Sequence, residues 1–123
     1  MQHSPGFLKV VEDARPSVKE ITVEDARAKL KANPKAILID VREDAEWEKQ
    51  HAEQAKHLGR GVLERDIETD FPDKDQELIM YCGGGFRSIL TAEAAQRMGY
   101  RKVFSLIGGY KELLKQSWPM KSS

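Results

Sequence analysis

Cys82 is the chain's only cysteine, and it sits in the run Leu78-Ile79-Met80-Tyr81-Cys82-Gly83-Gly84-Gly85-Phe86-Arg87-Ser88. A thiol followed by three glycines, with an arginine five positions on, has the residue types and spacing for nucleophilic attack on a small anionic substrate. Glycines let a backbone close tightly, so that successive N–H groups can point inward at one atom. Ser88 is placed to cap a helix suggested by Ile89 to Met98, and a helix N-terminus adds partial positive charge at the same spot. A cysteine in that setting is favoured as its thiolate, the nucleophilic form. By residue type alone, a lone cysteine is equally an inert core side chain, and three glycines are equally a plain turn. The order of strand, Cys82, glycines, Arg87, Ser88 and helix is what points to chemistry.

The elements that must position this loop are legible on both sides of it. Leu78 to Tyr81 reads as a buried strand, too short and too closely followed by glycine to be a helix. Leu90, Ala94 and Met98 form one helical stripe and Ile89, Ala92 and Ala95 another, and Gly99 ends that helix as its C′ residue. Ala36 to Ile39 is a second strand that is apolar on both faces and therefore central and parallel. Asp40-Val41-Arg42-Glu43 follows at its carboxyl end, where sites gather in open α/β sheets. Asp40 and Arg42 are candidates for catalysis, with a structural ion pair or loop-fixing hydrogen bonds as the expected role.

Before the first of these strands, Phe7, Leu8, Val10 and Val11 recur at helical spacing and predict a short amphipathic helix that stops before Pro16. Lys19 to Ile21 is a weak strand. Thr22 and Asp25 have capping-box spacing for a helix to about Ala32, ended by Asn33-Pro34. Asp44 to Gln50 is a short helix with Trp47 as its expected inward anchor. His51 and His57 are expected to be hydrogen-bonded loop histidines, since neither has a recognised metal-ligand spacing. Ala55 to Leu58 is a short strand. Gly59-Arg60-Gly61 opens a helix over Val62 to Thr69 whose charges, Arg65 among them, are expected to form a solvated face, with Arg60 or Arg65 reaching a pocket anion as the alternative. Val103 to Ile107 is expected to be the last strand, and Gly108-Gly109-Tyr110 opens a terminal helix.

The chain has 123 residues, one domain's worth, and its 20 basic and 20 acidic side chains cancel. That balance points to neither a nucleic-acid nor a membrane surface as partner. One cysteine allows no internal disulfide, and Met1 to Ala14 lacks the apolar core of a signal peptide, so a reducing, cytoplasmic setting is expected.

The cysteine loop closed by Arg87-Ser88, the Asp40-Val41-Arg42-Glu43 segment continuing to Glu46, Trp47 and His51, and the Gly108-Gly109 turn together resemble the rhodanese-like sulfurtransferases. The likeness runs from about Ile21 to Pro119. Two positions depart from the family's habit at the chain's end, Leu113 where many relatives carry tryptophan and Ser117 where they carry glycine. A third departure is the missing Pro-Gly after His51.

The resemblance implies an α/β fold with a central parallel sheet and helices on both faces. It divides the chain into an N-terminal helical extension, residues 1–18, and a rhodanese-like domain, residues 19–123. It further implies that Cys82 takes a sulfane sulfur from a donor such as thiosulfate and passes it to cyanide or a thiol, a protein thiol included. Gly83, Gly84, Gly85, Phe86, Arg87 and Ser88 would bind substrate, Asp40 and Arg42 would support the loop, and no metal or organic cofactor would be needed. Two alternatives come from other classes. One is a cysteine-dependent phosphatase or arsenate reductase, whose loop carries five residues between cysteine and arginine where this chain has four. The other is a non-catalytic rhodanese-like binding module.

Overall fold

The computed structural model describes residues 3–122. Ser4 caps the first helix, α1 (Pro5–Ala14), by accepting from the Phe7 N–H, and Pro5 presets its first turn. A 3₁₀ turn over Arg15–Ser17 leads into β1 (Lys19–Ile21). Thr22 and Asp25 close a reciprocal capping box on α2 (Val23–Ala32). Then follow β2 (Ile37–Asp40), α3 (Asp44–Lys49), and the two-residue strands β3 (His51–Ala52) and β4 (Lys56–His57). The chain continues through α4 (Leu63–Asp70), β5 (Leu78–Tyr81), α5 (Arg87–Arg97), β6 (Val103–Leu106), α6 (Gly109–Lys115) and β7 (Met120–Lys121).

Five strands form one parallel sheet in the order β1-β6-β5-β2-β4, so β5, the strand that delivers Cys82, is the middle strand. All four of its residues are buried, as its unbroken apolar run requires. Its side chains alternate between two cores. Leu78, Met80 and then Cys82 join Val11, Leu63, Ile67 and Ile89 on the face covered by α1, α4 and α5. Ile79 and Tyr81 join Val23, Ala26, Leu113 and Trp118 on the face covered by α2 and α6. The expected α/β architecture, with helices on both faces of a central parallel sheet, is therefore the observed one. Val11 and Ala14 lie at 0% and 2% exposure in the first core, so α1 is seated rather than appended loosely. Among the described residues no helix is long and apolar enough to cross a membrane.

Three expectations need correction. Trp47 is half-buried and not an inward anchor. Its indole stacks on His51, with ring centroids 3.4 Å apart, and lies nearly parallel to His57 at 4.8 Å. Val103–Leu106 is not the last strand, because β7 pairs antiparallel with β3 in a separate two-stranded sheet. Two-residue strands carry no periodicity to read. Ser88 does not cap α5, since the helix starts at Arg87, two residues before the expected Ile89, and Phe86, with helical dihedrals, holds the cap position without a side-chain bond.

Both C-terminal ends use the same device. After α5, Gly99 takes φ +100°, its N–H reaching Gln96 O and that of Tyr100 reaching Ala95 O, a Schellman motif. After α6, the same pair of bonds runs from Ser117 to Leu114 and from Trp118 to Leu113, but Ser117 must hold φ +57° with a Cβ. The left-handed region costs an L-residue about 1–2 kcal/mol, partly offset by glycine's greater freedom when unfolded. Ser117→Gly is therefore expected to stabilise the protein by about 0.5–1 kcal/mol, read as a higher urea midpoint. An unchanged or lower midpoint would contradict the strain at this cap.

Candidate active site

Cys82 ends the middle strand and is 1% exposed, with its sulfur turned toward the start of α5. The Gly85 N–H donates to Sγ at 3.2 Å and the Ser88 N–H at 3.4 Å. Those amides belong to the loop and first turn, where a helix has no backbone acceptor of its own. The sulfur thus takes the acceptor's part that a Ser88 hydroxyl would have played as a cap. Freed from capping, the Ser88 hydroxyl sits buried 3.5 Å from Sγ and 2.7 Å from the hydroxyl of Ser105 on β6. Strand parity puts Ser105 on the face of Val103, beside Met80 in register, which is why it lies under the sulfur.

The loop's carbonyls are held away from the sulfur by α6. The Tyr110 N–H donates to Cys82 O at 2.7 Å and the Lys111 N–H to Gly83 O at 3.2 Å. That approach is close enough that a Cβ on Gly109 would collide with the Cys82 carbonyl. Gly85 adopts φ +100°, and a Cβ there would lie 3.0 Å from the Gly108 nitrogen. The two glycine turns are one packed unit.

A cavity of about 510 Å³ opens above the sulfur. Gly84 and Cys82 line it, with Glu46, Arg60 and Arg87 as its charged groups. Arg87 is not free: its guanidinium grips Glu46 through two bonds of 2.8 and 3.1 Å. These bonds hold the Glu46 carboxyl below the usual carboxylate range and raise Arg87 further above its ordinary value. Arg60 is exposed and has no ion pair among the described residues. Of the two arginines considered for the pocket, Arg60 lines it. Arg65 instead pairs with its neighbour Asp66.

Asp40 and Arg42 form a bidentate ion pair, 0% and 4% exposed, and neither lines the cavity. Arg42 also donates to Gln50 O at 2.6 Å and lies over the Tyr110 ring at 4.2 Å, tying β2, the end of α3 and α6 together. Burial pushes the hydroxyl of the adjacent Tyr81 well above its ordinary value, and that hydroxyl accepts the Ala52 N–H. His51 Nδ1 donates to Trp47 O and His57 Nε2 to Arg42 O, each at 2.9 Å, so both are hydrogen-bonded as expected, but they sit in the strands β3 and β4 rather than in loops. Sequence reasoning missed His3 and Phe7, which line the cavity from the N-terminal side, and Ser105. Parity with Met80 was the available signal for Ser105, while nothing local marks His3.

Comparison with known proteins gives one consistent frame. The family model described as the rhodanese-like domain matches residues 22–116. YtwF of Bacillus subtilis, a proposed sulfurtransferase, is 34% identical over 86 residues, covering 70% of this chain and 82% of that protein. The thiosulfate sulfurtransferase GlpE of Coxiella burnetii is 32% identical over 75 residues, 61% of this chain and 68% of GlpE. YrkF of Bacillus subtilis, a proposed sulfur carrier protein, is 27% identical over 96 residues. The match covers 78% of this chain but only about half, 51%, of YrkF. Among solved structures, RPA3614 of Rhodopseudomonas palustris CGA009 is a protein of unknown function suggested to be a tyrosine phosphatase. It superposes with a TM-score of 0.85 at 27% identity, over 98% of each chain.

The buried pair beside the loop gives a direct test. Removing one charge of such a pair leaves the other uncompensated, at a cost of about 3–5 kcal/mol. Asp40→Asn should therefore lower the unfolding free energy by roughly 3 kcal/mol, measured by urea denaturation. A loss below about 1 kcal/mol, the level of an exposed pair, would mean that Asp40 does not anchor this end of the sheet.

Proposed function

The chain belongs to the rhodanese-like family, and from that premise we propose that it is a sulfurtransferase working through a persulfide on Cys82. The Cys82 thiolate attacks the outer sulfur of a sulfane donor such as thiosulfate. A bond forms between Sγ and that sulfur, the donor's S–S bond breaks, and sulfite leaves with the electron pair. The persulfide's terminal sulfur then passes to cyanide, giving thiocyanate, or to a thiolate, giving a new persulfide, and Cys82 returns as thiolate. Donor and acceptor are small molecules, with a protein thiol as a further acceptor.

The observation that carries this reading is the convergence of the Gly85 and Ser88 N–H groups on one sulfur atom. Fixed donors aimed at developing negative charge stabilise both the thiolate and the sulfur added to it, at no reorganisation cost. Arg60 supplies the unpaired positive charge that draws the donor anion in. Arg87, neutralised by Glu46, braces the loop and adds hydrogen-bond donors at the cavity wall. The Asp40–Arg42 pair acts only through the backbone it holds.

The phosphatase reading has the likeness to RPA3614 in its favour. Against it stands the loop itself. A tetrahedral phosphate needs donors spread around three oxygens, whereas four residues between Cys82 and Arg87 close the ring around a single atom.

After thiosulfate treatment the intact protein should be one sulfur atom heavier, and dithiothreitol should restore its mass. Cys82→Ser should show neither the gain nor any thiocyanate formation, since a hydroxyl cannot carry the sulfur. Rapid turnover of p-nitrophenyl phosphate through Cys82, with no mass gain after thiosulfate, would overturn the sulfurtransferase reading in favour of the phosphatase one.

A further inference from the structure

The cavity above Cys82 is larger and more aromatic than an inorganic donor requires. Its volume of about 510 Å³ falls in the range of roughly 300–1,000 Å³ that holds small organic ligands. One wall is built from His3 and Phe7, with Phe86 of the loop beside them. The His3 ring lies 5.1 Å from that of Phe7 and 4.8 Å, edge-on, from that of Phe86. His3 and Phe7 precede residues 22–116, the part matched by the family model, while Phe86 lies within it.

The wall is held in place. Phe7 packs against the main core, of which Val11 and Ala14 are buried members, and Arg15 lies 6.0 Å over the Phe86 ring from the other end of α1. Charge narrows the ligand further. Arg87 and Glu46 cancel one another, which leaves Arg60 as the cavity's one cation without an ion pair among the described residues. A single positive charge beside aromatic surface suits a monoanion with an apolar arm better than a small, strongly hydrated dianion.

We propose that the aromatic wall of His3, Phe7 and Phe86, with Arg60 at its side, selects organic sulfane donors of the thiosulfonate type, R–SO₂–S⁻, over inorganic ones. His3 and Phe7 are then specificity-determining residues. The proposal rests on the sulfurtransferase reading above. The Cys82 thiolate attacks the terminal sulfur of R–SO₂–S⁻, the Sγ–S bond forms, and the donor's S–S bond breaks. The sulfinate R–SO₂⁻ departs with the electron pair, so two negative charges enter and two remain. The group R lies against the aromatic wall, and the anionic head faces Arg60.

The test compares benzenethiosulfonate with methanethiosulfonate as donors to cyanide, following thiocyanate. The readout is the ratio of their kcat/KM values in each variant relative to the native chain, in which the donors' intrinsic reactivities cancel. Phe7→Ala should lower that ratio about tenfold, equivalent to about 1.4 kcal/mol, within the reach of one lost aromatic contact. His3→Ala, at a half-exposed position before α1, should lower it about threefold and serves alone if Phe7→Ala fails to fold. Ratios that stay at the native value in the folded variants would overturn the proposal. Intact mass separates the two failures. If neither thiosulfate nor benzenethiosulfonate adds a sulfur to Cys82, the sulfurtransferase reading falls and this inference with it. If both load the cysteine while the ratio ignores His3 and Phe7, only the assignment of the wall is wrong.

Discussion

Two backbone N–H groups at the mouth of α5, those of Gly85 and Ser88, have the Cys82 sulfur as their acceptor, and most of the surrounding structure keeps it so. A helix start needs acceptors, and here the cap residue, Phe86, provides none from its side chain. Satisfying the helix and stabilising negative charge on sulfur are therefore the same interaction. It persists only if the loop's carbonyls are occupied elsewhere, and the first turn of α6 takes those of Cys82 and Gly83. Gly109 is required because any side chain there would strike the Cys82 carbonyl. The Cys82 loop and the Gly108-Gly109 turn are mutually dependent, although Gly108 lies 26 positions after Cys82 in the sequence.

Electrostatics are divided by depth. The Asp40–Arg42 pair is buried and spends its charge on geometry, joining β2, the end of α3 and α6 beneath the site. Desolvation offsets much of such a pair's attraction, so its presence alone is weak evidence of net stabilisation. The Arg87–Glu46 pair is partly exposed and ties α3 to the Cys82 loop. Its contribution depends on an ionised Glu46, whose folded carboxyl lies below the usual range. The contribution is therefore complete above the unfolded carboxylate range and is lost as pH falls through the folded one. Arg60 lines the cavity with no ion pair among the described residues.

The large features were legible because each has a strong local cause. The two-sided apolar runs of β2 and β5 announce central parallel strands, and the Thr22–Asp25 spacing announces a capped helix. The order around Cys82 placed that cysteine at a strand's end facing a helix start. What escaped was set by tertiary contact. Ser88 looks like a cap by type, yet the sulfur occupies that function and the hydroxyl turns inward to Ser105. Trp47 has an anchor's size but finds its surface on two histidine rings. The β3–β7 pair is two residues long on each side, and its partners lie far apart in sequence. His3 and Phe7 reach the site only because α1 folds back over α5.

The claim on which the account turns is that Gly85 and Ser88, and not the loop at large, hold the reacting sulfur. Amide proton shifts in ¹H–¹⁵N spectra measure this directly as Cys82 passes from thiol to persulfide with thiosulfate. The Gly85 and Ser88 resonances should move furthest downfield, with Gly84 and residues beyond the first turn of α5 moving little. Gly85 and Ser88 resonances that stay in place while a persulfide is present would contradict it.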